Sequence, residues 1–377
     1  MTKGQPIDTH THFDHEPEIN KYFKAAIKTG ASDLHLKVGL PPKLRLHTGL
    51  KNTTGDTLTE QDMERLIFEI LTEKQKEFFL HNGALDFAWQ VGTMDRFRIN
   101  IFRQRNFISL AARHITSQIP PFESLHLPPI VEKICDTHEG LILVTGPTGC
   151  GKSTTIASMI DYVNRTRPCH IVTIEDPLEF LHNDQKAIVS QREIGIDVPN
   201  FEDALRSLMR QDPDVVLVGE MRDNETLTAA MRAAETGHLV FGTLHAASAA
   251  QTIQRILDLF PQEERDLARQ TFSLTMKAVI SQVLLPGLRE DAKRVPAVEI
   301  LLSNPTVKKL LSEGRDSDIP SIIRACQNDG MQDFTESLRY LVADEWIDLK
   351  VALQYAPNKE ELRMALKGIR SAASGLL

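Results

Sequence analysis

The chain has 377 residues, of which 25% are charged and 41% hydrophobic, with a formal net charge of −8. That length can bury a core in two or three domains, and the acidic balance excludes a protein whose main work is coating nucleic acid. No apolar run is long enough for a membrane span, no basic-then-apolar leader opens the chain, and Cys135, Cys150, Cys169 and Cys326 form no C-x-x-C pair. A cytoplasmic protein without direct membrane insertion is therefore expected.

Residues 1–17 are polar and His-rich, lack an apolar period, and read as a mobile head. Their run DTHTHFDH, Asp8 to His15, is similar to the H-x-H metal pair of amidohydrolase barrels. No buried strand precedes it and no further ligands follow, so a metal site is not expected there.

Residues 18–116 alternate helix and strand patterns. Ile19, Tyr22, Phe23, Ala26 and Ile27 make one helical stripe, which Gly30 can close. Leu34, Leu36 and Val38 alternate as a strand, as do Leu44 and Leu46 after the Pro41-Pro42 turn. Thr59 with Asp62 opens a second helix striped by Met63, Leu66, Ile67, Ile70 and Leu71. Strands return at Leu85–Val91, Asp95–Phe102 and Phe107–Ile115. Helices against an antiparallel sheet make this a small α+β domain.

Residues 117–127 carry prolines and little periodicity and read as a linker. Across 128–303, short apolar runs alternate with helices: Leu141–Thr145, Ile171–Glu175, Ala187–Gln191, Val215–Gly219, Leu239–Thr243 and Ala297–Leu301. Such alternation predicts a doubly covered, mostly parallel α/β sheet. Residues 304–377 read as a C-terminal helical region.

The strongest motif is GPTGCGKS: Gly146, Pro147, Thr148, Gly149, Cys150, Gly151, Lys152 and Ser153, followed by Thr154. Preceded by a buried strand and followed by a helix, it fits a phosphate-binding loop for a nucleoside triphosphate. The glycines let backbone N–H groups converge, Lys152 faces the β/γ-phosphates, and Ser153 offers a hydroxyl to Mg²⁺. The helix N-terminus is also expected to lower the pKa of the Cys150 thiol and make it reactive.

In such a sheet, ligands lie at the carboxyl ends of the strands. Glu175 and Asp176 close one strand in TIEDP, Glu220 closes another in PDVVLVGEMRD, and His245 follows GHLVFGTLH. Phosphoryl transfer to water needs a cation across the β/γ-phosphates, an oriented water and positive charge for the spreading anion. Ser153 and Glu220 can hold Mg²⁺, and Glu175 can accept a hydrogen bond from the water. No arginine lies close to the loop in sequence. Arg96, Arg98, Arg105 and Arg113 are expected on strands of the small domain, with Arg96 and Arg98 opposite the apolar face of Phe97, Ile99 and Ile101.

Four stretches in register, GPTGCGKSTT, TIEDPLEFLH (Thr173–His182), LRSLMRQDPDVVLVGEMRD (Leu205–Asp223) and AAETGHLVFGTLHAASAAQTIQRI (Ala233–Ile256), closely resemble the PilT-like secretion ATPases. They are similar to that family's Walker A, aspartate, Walker B and histidine boxes, and GASDLHLKVGLPPKLRLHTG (Gly30–Gly49) extends the likeness into the small domain. The resemblance implies a PAS-like N-terminal domain joined to a RecA-like ATPase core. It also implies a homo-hexameric ring that powers type IV pilus retraction and docks on an inner-membrane platform protein. By position, Glu175 would polarise the water and Glu220 would be the Walker B glutamate. His238 and His245 would be the histidine-box pair, with His245 at the γ-phosphate, and Arg98 and Arg113 would be ATP-facing arginines. TVKKLLSEGR (Thr306–Arg315) keeps only part of the family's AIRNLIR-type helix. Gln104-Arg105-Asn106 is similar to the accessory retraction paralogue, whereas GEMRD and TGHLVFGTLH are closer to the principal motor, so which of the two this chain is stays open, as does a paralogous retraction ATPase as partner. Pilus-extension and type II secretion ATPases, and a poorly hydrolysing regulatory ring subunit, are the alternatives.

Overall fold

The computed structural model describes residues 15–369 except His47, Thr93 and Met94. The His-rich run, apart from His15 itself, lies outside the described residues. The chain divides into two compact units. The first holds residues up to Gln118 with two short later segments, Pro177–Asn183 and Glu193–Pro199, and the second holds the rest.

In the first unit a six-stranded antiparallel sheet is built from β1 (Asp33–Lys37), β2 (Lys43–Leu46), β3 (Gly49–Asn52), β4 (Ala84–Val91), β5 (Asp95–Gln104) and β6 (Phe107–Ile115). Their order is β3-β2-β1-β6-β5-β4. Helix Asn20–Thr29 ends on Gly30 in the left-handed region, φ 65°. Helix Glu60–Phe68 begins at the reciprocal Thr59–Asp62 capping box. Their apolar stripes pack with the inward residues of the sheet. Phe23, Met63, Ile67, Phe97, Ile99 and Ile101 are all fully buried, with the Phe23 and Phe97 ring centroids 4.6 Å apart.

A further helix, Glu73–Asn82, has no apolar stripe to announce it. Phe78 and Leu80 are 45% and 51% exposed, and only Gln75 and Phe79 are buried. Its signal is the capping box between Thr72 and Gln75 instead. Arg105 does not lie on a strand as its sequence position implied. Gln104 pairs with Phe107 across a two-residue loop, and Arg105 and Asn106 take φ of 50° and 68°. Positive φ at both central positions is the mark of a type I′ hairpin, which asparagine tolerates well.

The second unit contains β7 (Gly140–Thr145), β8 (His170–Glu175), β9 (Ile188–Glu193), β10 (Val215–Val218), β11 (Leu239–Leu244), β12 (Met276–Arg289) and β13 (Ala292–Leu302). The order is β13-β12-β7-β11-β10-β8-β9. The strands β12, β7, β11, β10 and β8 run parallel, and β13 returns antiparallel to β12. β7, β10 and β11 are buried at every residue, as crossover helices on both faces require. Strand β12 carries no boundary signal. Helix Arg265–Thr275 passes into it without an intervening glycine or proline, and its Ser281 and Gln282 look polar yet are buried. From Pro305 to Leu366 the chain is helical in short pieces, part of which closes a second core with β12 and β13 around Leu285, Val295, Leu338 and Leu362.

Thr72→Ala removes the cap of Glu73–Asn82 and should cost the first unit about 1 kcal/mol. The expected readout is an earlier onset of urea unfolding by Trp89 fluorescence in a Trp346→Phe background.

Candidate active site

Because β7 is wholly apolar and buried, polar chemistry can begin only where it ends. Gly146 takes φ 147°, and a Cβ there would collide with the Gln282 carbonyl oxygen and the Cys150 sulfur. No other residue fits that turn. Pro147, Thr148 and Gly149 are exposed, while Cys150 turns inward. Helix Lys152–Thr166 then starts at Gly151 without a side-chain cap, so its first N–H groups face the loop. Lys152 Nζ donates to the carbonyls of Gly146 and Pro147 at 2.9 and 3.1 Å, which holds its charge over the loop. Ser153 and Thr154 lie half-buried in the first helical turn.

The loop is braced from β12. Gln282, 2% exposed, donates through Nε2 to the Cys150 carbonyl at 2.6 Å and accepts the Thr155 hydroxyl at 3.0 Å. One buried amide thus fixes both the loop and the helix that follows it. Beside it, the hydroxyls of Thr145 and Ser281 lie 2.8 Å apart. From β13, Arg294 donates to the Gly149 carbonyl at 3.2 Å. Neither Gln282 nor Arg294 stands out in the sequence, because each comes from the hairpin whose first strand carries no pattern.

Glu175, Glu220 and His245 all fall on the carboxyl rim that β7 ends on. Glu175 Oε1 accepts from the Thr173 hydroxyl at 2.7 Å and from Gln191 at 3.3 Å, so the carboxylate is oriented rather than loose. Glu220 Oε2 accepts from Arg222 at 2.6 Å, and His245 Nε2 lies 3.1 Å from Glu220 Oε1. The Arg222 guanidinium holds the Glu220 carboxyl below the usual carboxylate range against the opposing effect of burial, helped by the charges of His245 and Lys152. Glu220 therefore stays ionised through the neutral range and loses its charge only as pH falls below the ordinary value of 4.5. A serine hydroxyl and an ionised carboxylate are hard oxygen donors, which fits Mg²⁺ at Ser153 and Glu220.

The two histidines are not brought together. His238 lies at the amino end of β11, where Nδ1 meets the Ala233 carbonyl at 2.9 Å and Thr236 Oγ1 at 3.1 Å. His245 follows the carboxyl end, and six strand residues separate the two by roughly 20 Å. Cys150 also departs from expectation. It is 3% exposed, and burial pushes its thiol up despite the nearby Lys152 charge, so it is not an activated thiolate.

In the first unit, Arg98 and Arg113 are directly paired across β5 and β6. Arg113 Nε donates to Asp33 at 3.0 Å while staying 70% exposed. Arg96 is instead committed to the buried Glu193 at 3.3 Å.

A parallel sheet whose carboxyl rim carries a glycine-rich loop opening a helix, with Lys152 held over the loop and Glu175, Glu220 and His245 on the same rim, defines a RecA-like P-loop ATPase core, here with an N-terminal α+β domain. The sequence model of the Type II/IV secretion system protein family matches residues 126–347, and the chain belongs to that family. It is 42% identical over 343 residues to the Type IV pilus retractation ATPase PilT of Pseudomonas aeruginosa, covering 91% of this chain and 99% of that one. It is 35% identical to the Type IV pilus ATPase PilU of the same organism, covering 93% and 91%. A solved structure of the pilus retraction motor PilT with bound ADP superposes with a TM-score of 0.84 at 42% identity, covering 93% of this chain and 99% of that chain. The chain is accordingly an ATP hydrolase. Among the described residues no helix is long and apolar enough to cross a membrane.

Gln282→Leu should lower ATP affinity about tenfold by leaving the Cys150 carbonyl and Thr155 hydroxyl unpaired. Titration with a fluorescent ATP analogue measures it, and wild-type affinity would remove Gln282 from the loop's support.

Proposed function

We propose that this chain is the subunit of a homo-hexameric motor that hydrolyses ATP to retract type IV pili, working at the inner membrane through the platform protein of the pilus machine. The observation that carries this reading is the gathering of Glu175, Glu220 and His245 on the rim of the phosphate loop, in a chain whose likeness to PilT runs through both units. Identity of 42% to PilT against 35% to PilU favours the principal motor over the accessory one.

In this reading the nest of N–H groups from Gly146 to Thr154 binds the phosphates, and Lys152 exchanges its loop carbonyls for β/γ-oxygens. Ser153 and Glu220 would hold Mg²⁺, which would supply positive charge to the triphosphate. Glu175 accepts a proton-side hydrogen bond from the attacking water and aims its lone pair at phosphorus. His245, tied to Glu220, senses the γ-phosphate. Arg98 and Arg113, from the small domain of a neighbouring subunit in the ring, supply the positive charge that the spreading anion needs. His238, at the far end of β11, lies outside this rim. A ring shared with a paralogous retraction ATPase is compatible with the same chemistry.

Lys152→Ala should weaken ATP binding and abolish turnover, whereas Glu220→Ala should abolish turnover with nucleotide still bound. ATPase activity surviving either change would show that the site lies elsewhere. Arg98→Ala and Arg113→Ala should each slow turnover by roughly 100-fold or more with the small domain still folded. In cells, deletion of the gene should give hyperpiliation with lost twitching. Normal pili with weakened twitching would instead indicate the accessory role, and loss of surface pili an extension motor.

A further inference from the structure

One buried carboxylate in the second unit takes no part in the chemistry above. Glu299 on β13 is 8% exposed, and its Oε1 accepts the N–H of Ala249 at 2.7 Å. Ala249 is the first residue of helix Ala249–Asp258, which begins only four residues after His245. The short loop between them is closed by its own bonds. Ser248 accepts the Gln251 N–H at 3.2 Å, and Gln251 Oε1 accepts the Ala247 N–H at 3.1 Å. Thr252 donates to the Ser248 carbonyl at 2.8 Å and lies 3.3 Å from Thr145 Oγ1, the last residue before the phosphate loop. Glu299 is thus the outside anchor of a segment that joins His245 to β7.

Behind Glu299 stand the C-terminal helices. Gln332 exchanges backbone hydrogen bonds with Ile300 at 2.7 and 3.1 Å, and its amide donates to the Val298 carbonyl at 3.1 Å, bracketing Glu299 on both sides. Asp333 caps helix Phe334–Ala343 and lies 3.7 Å from Arg324, which reaches Glu361 at 2.5 Å. Three helices therefore meet in one ionic cluster beside the carboxylate.

We propose that Glu299 is a positioning residue for hydrolysis, holding the His245 loop from the side of the C-terminal helices and passing their packing and ionisation to it. The inference rests on the assignment of His245 to the working rim. The charged groups facing Glu299 are Asp333 and Arg324, with Glu361 and Glu336 behind them and Arg339 paired to Glu336. Burial pushes the Glu299 carboxyl up to about 7, with Asp333 adding to the rise and the Ala249 N–H and Arg324 opposing it. Ionisation near neutrality converts the Ala249 bond into a charge-assisted one at a helix N-terminus, which tightens the anchor as pH rises.

The test is steady-state ATPase kinetics of the full-length protein. Glu299→Ala should lower kcat about tenfold while KM for ATP stays within about twofold. In the wild type, kcat should rise with pH through a limb near 7. The isosteric Glu299→Gln should stay folded and flat from about pH 6 to 8. Arg324→Ala should move the wild-type limb to higher pH. Melting gives a readout independent of turnover. The raised carboxyl contributes stability in full below 4.5 that is lost as pH rises through about 7, so Glu299→Gln should gain Tm over wild type across that window. An unchanged kcat in Glu299→Ala, a limb that persists in Glu299→Gln, or a limb unmoved in Arg324→Ala would each overturn the proposal. Turnover surviving His245→Ala would overturn the rim assignment and this inference with it. Loss of turnover there alongside a silent Glu299 would overturn this inference alone.

Discussion

A buried amide, Gln282, sets the limit within which the active site can work. A phosphate loop has to be both open to a highly charged ligand and fixed in shape, and the loop's own glycines oppose the second demand. Pro147, Thr148 and Gly149 are exposed. What fixes the loop is its inner side, where Gln282 takes the Cys150 carbonyl and the Thr155 hydroxyl in one planar group. That planarity matters because both bonds must be satisfied at once in a site too buried for water to substitute. The same strand places Ser281 against Thr145, so the end of β7 and the start of the loop are braced as one piece.

The bracing explains which parts of the site were legible in sequence. Glu175, Glu220 and His245 could be located because each ends a buried apolar run, and apolar runs are what a sequence displays. The loop could be located because its backbone needs glycines at set spacings. Gln282 and Arg294 could not. They belong to a hairpin whose first strand continues directly from a helix, so neither a period nor a breaker marks it. Helix Glu73–Asn82 was hidden for the opposite reason, since it exposes its large apolar side chains and buries a glutamine. His238 shows a further limit. Two histidines in one motif look like a pair, yet a strand of six residues puts them at opposite ends of the sheet.

Two carboxylates on either side of the His245 segment are set in opposite directions. Glu220 sits beside Arg222 and within reach of the Lys152 charge, and is kept ionised. Glu299 is buried, with Asp333 nearby, and is pushed toward neutrality. A group that holds a metal, as proposed for Glu220, has to stay ionised, whereas a group that only anchors backbone can carry either state. The environments of the two residues match those separate demands.

Charge balance within the second unit bears on where the remaining cations must come from. Arg222 is neutralised by Glu220. That leaves Lys152 and Arg294 as the cations touching the loop, each held by loop carbonyls rather than by an acid. A triphosphate carries more negative charge than these two can offset, and Glu175 adds another on the same rim. A divalent cation, where bound, would reduce the excess in the ground state. Under the proposed function, this deficit is what further cations would offset as charge moves onto the equatorial oxygens. In the first unit, by contrast, Asp33 orients Arg113, the cross-strand neighbour of Arg98, while leaving it largely exposed.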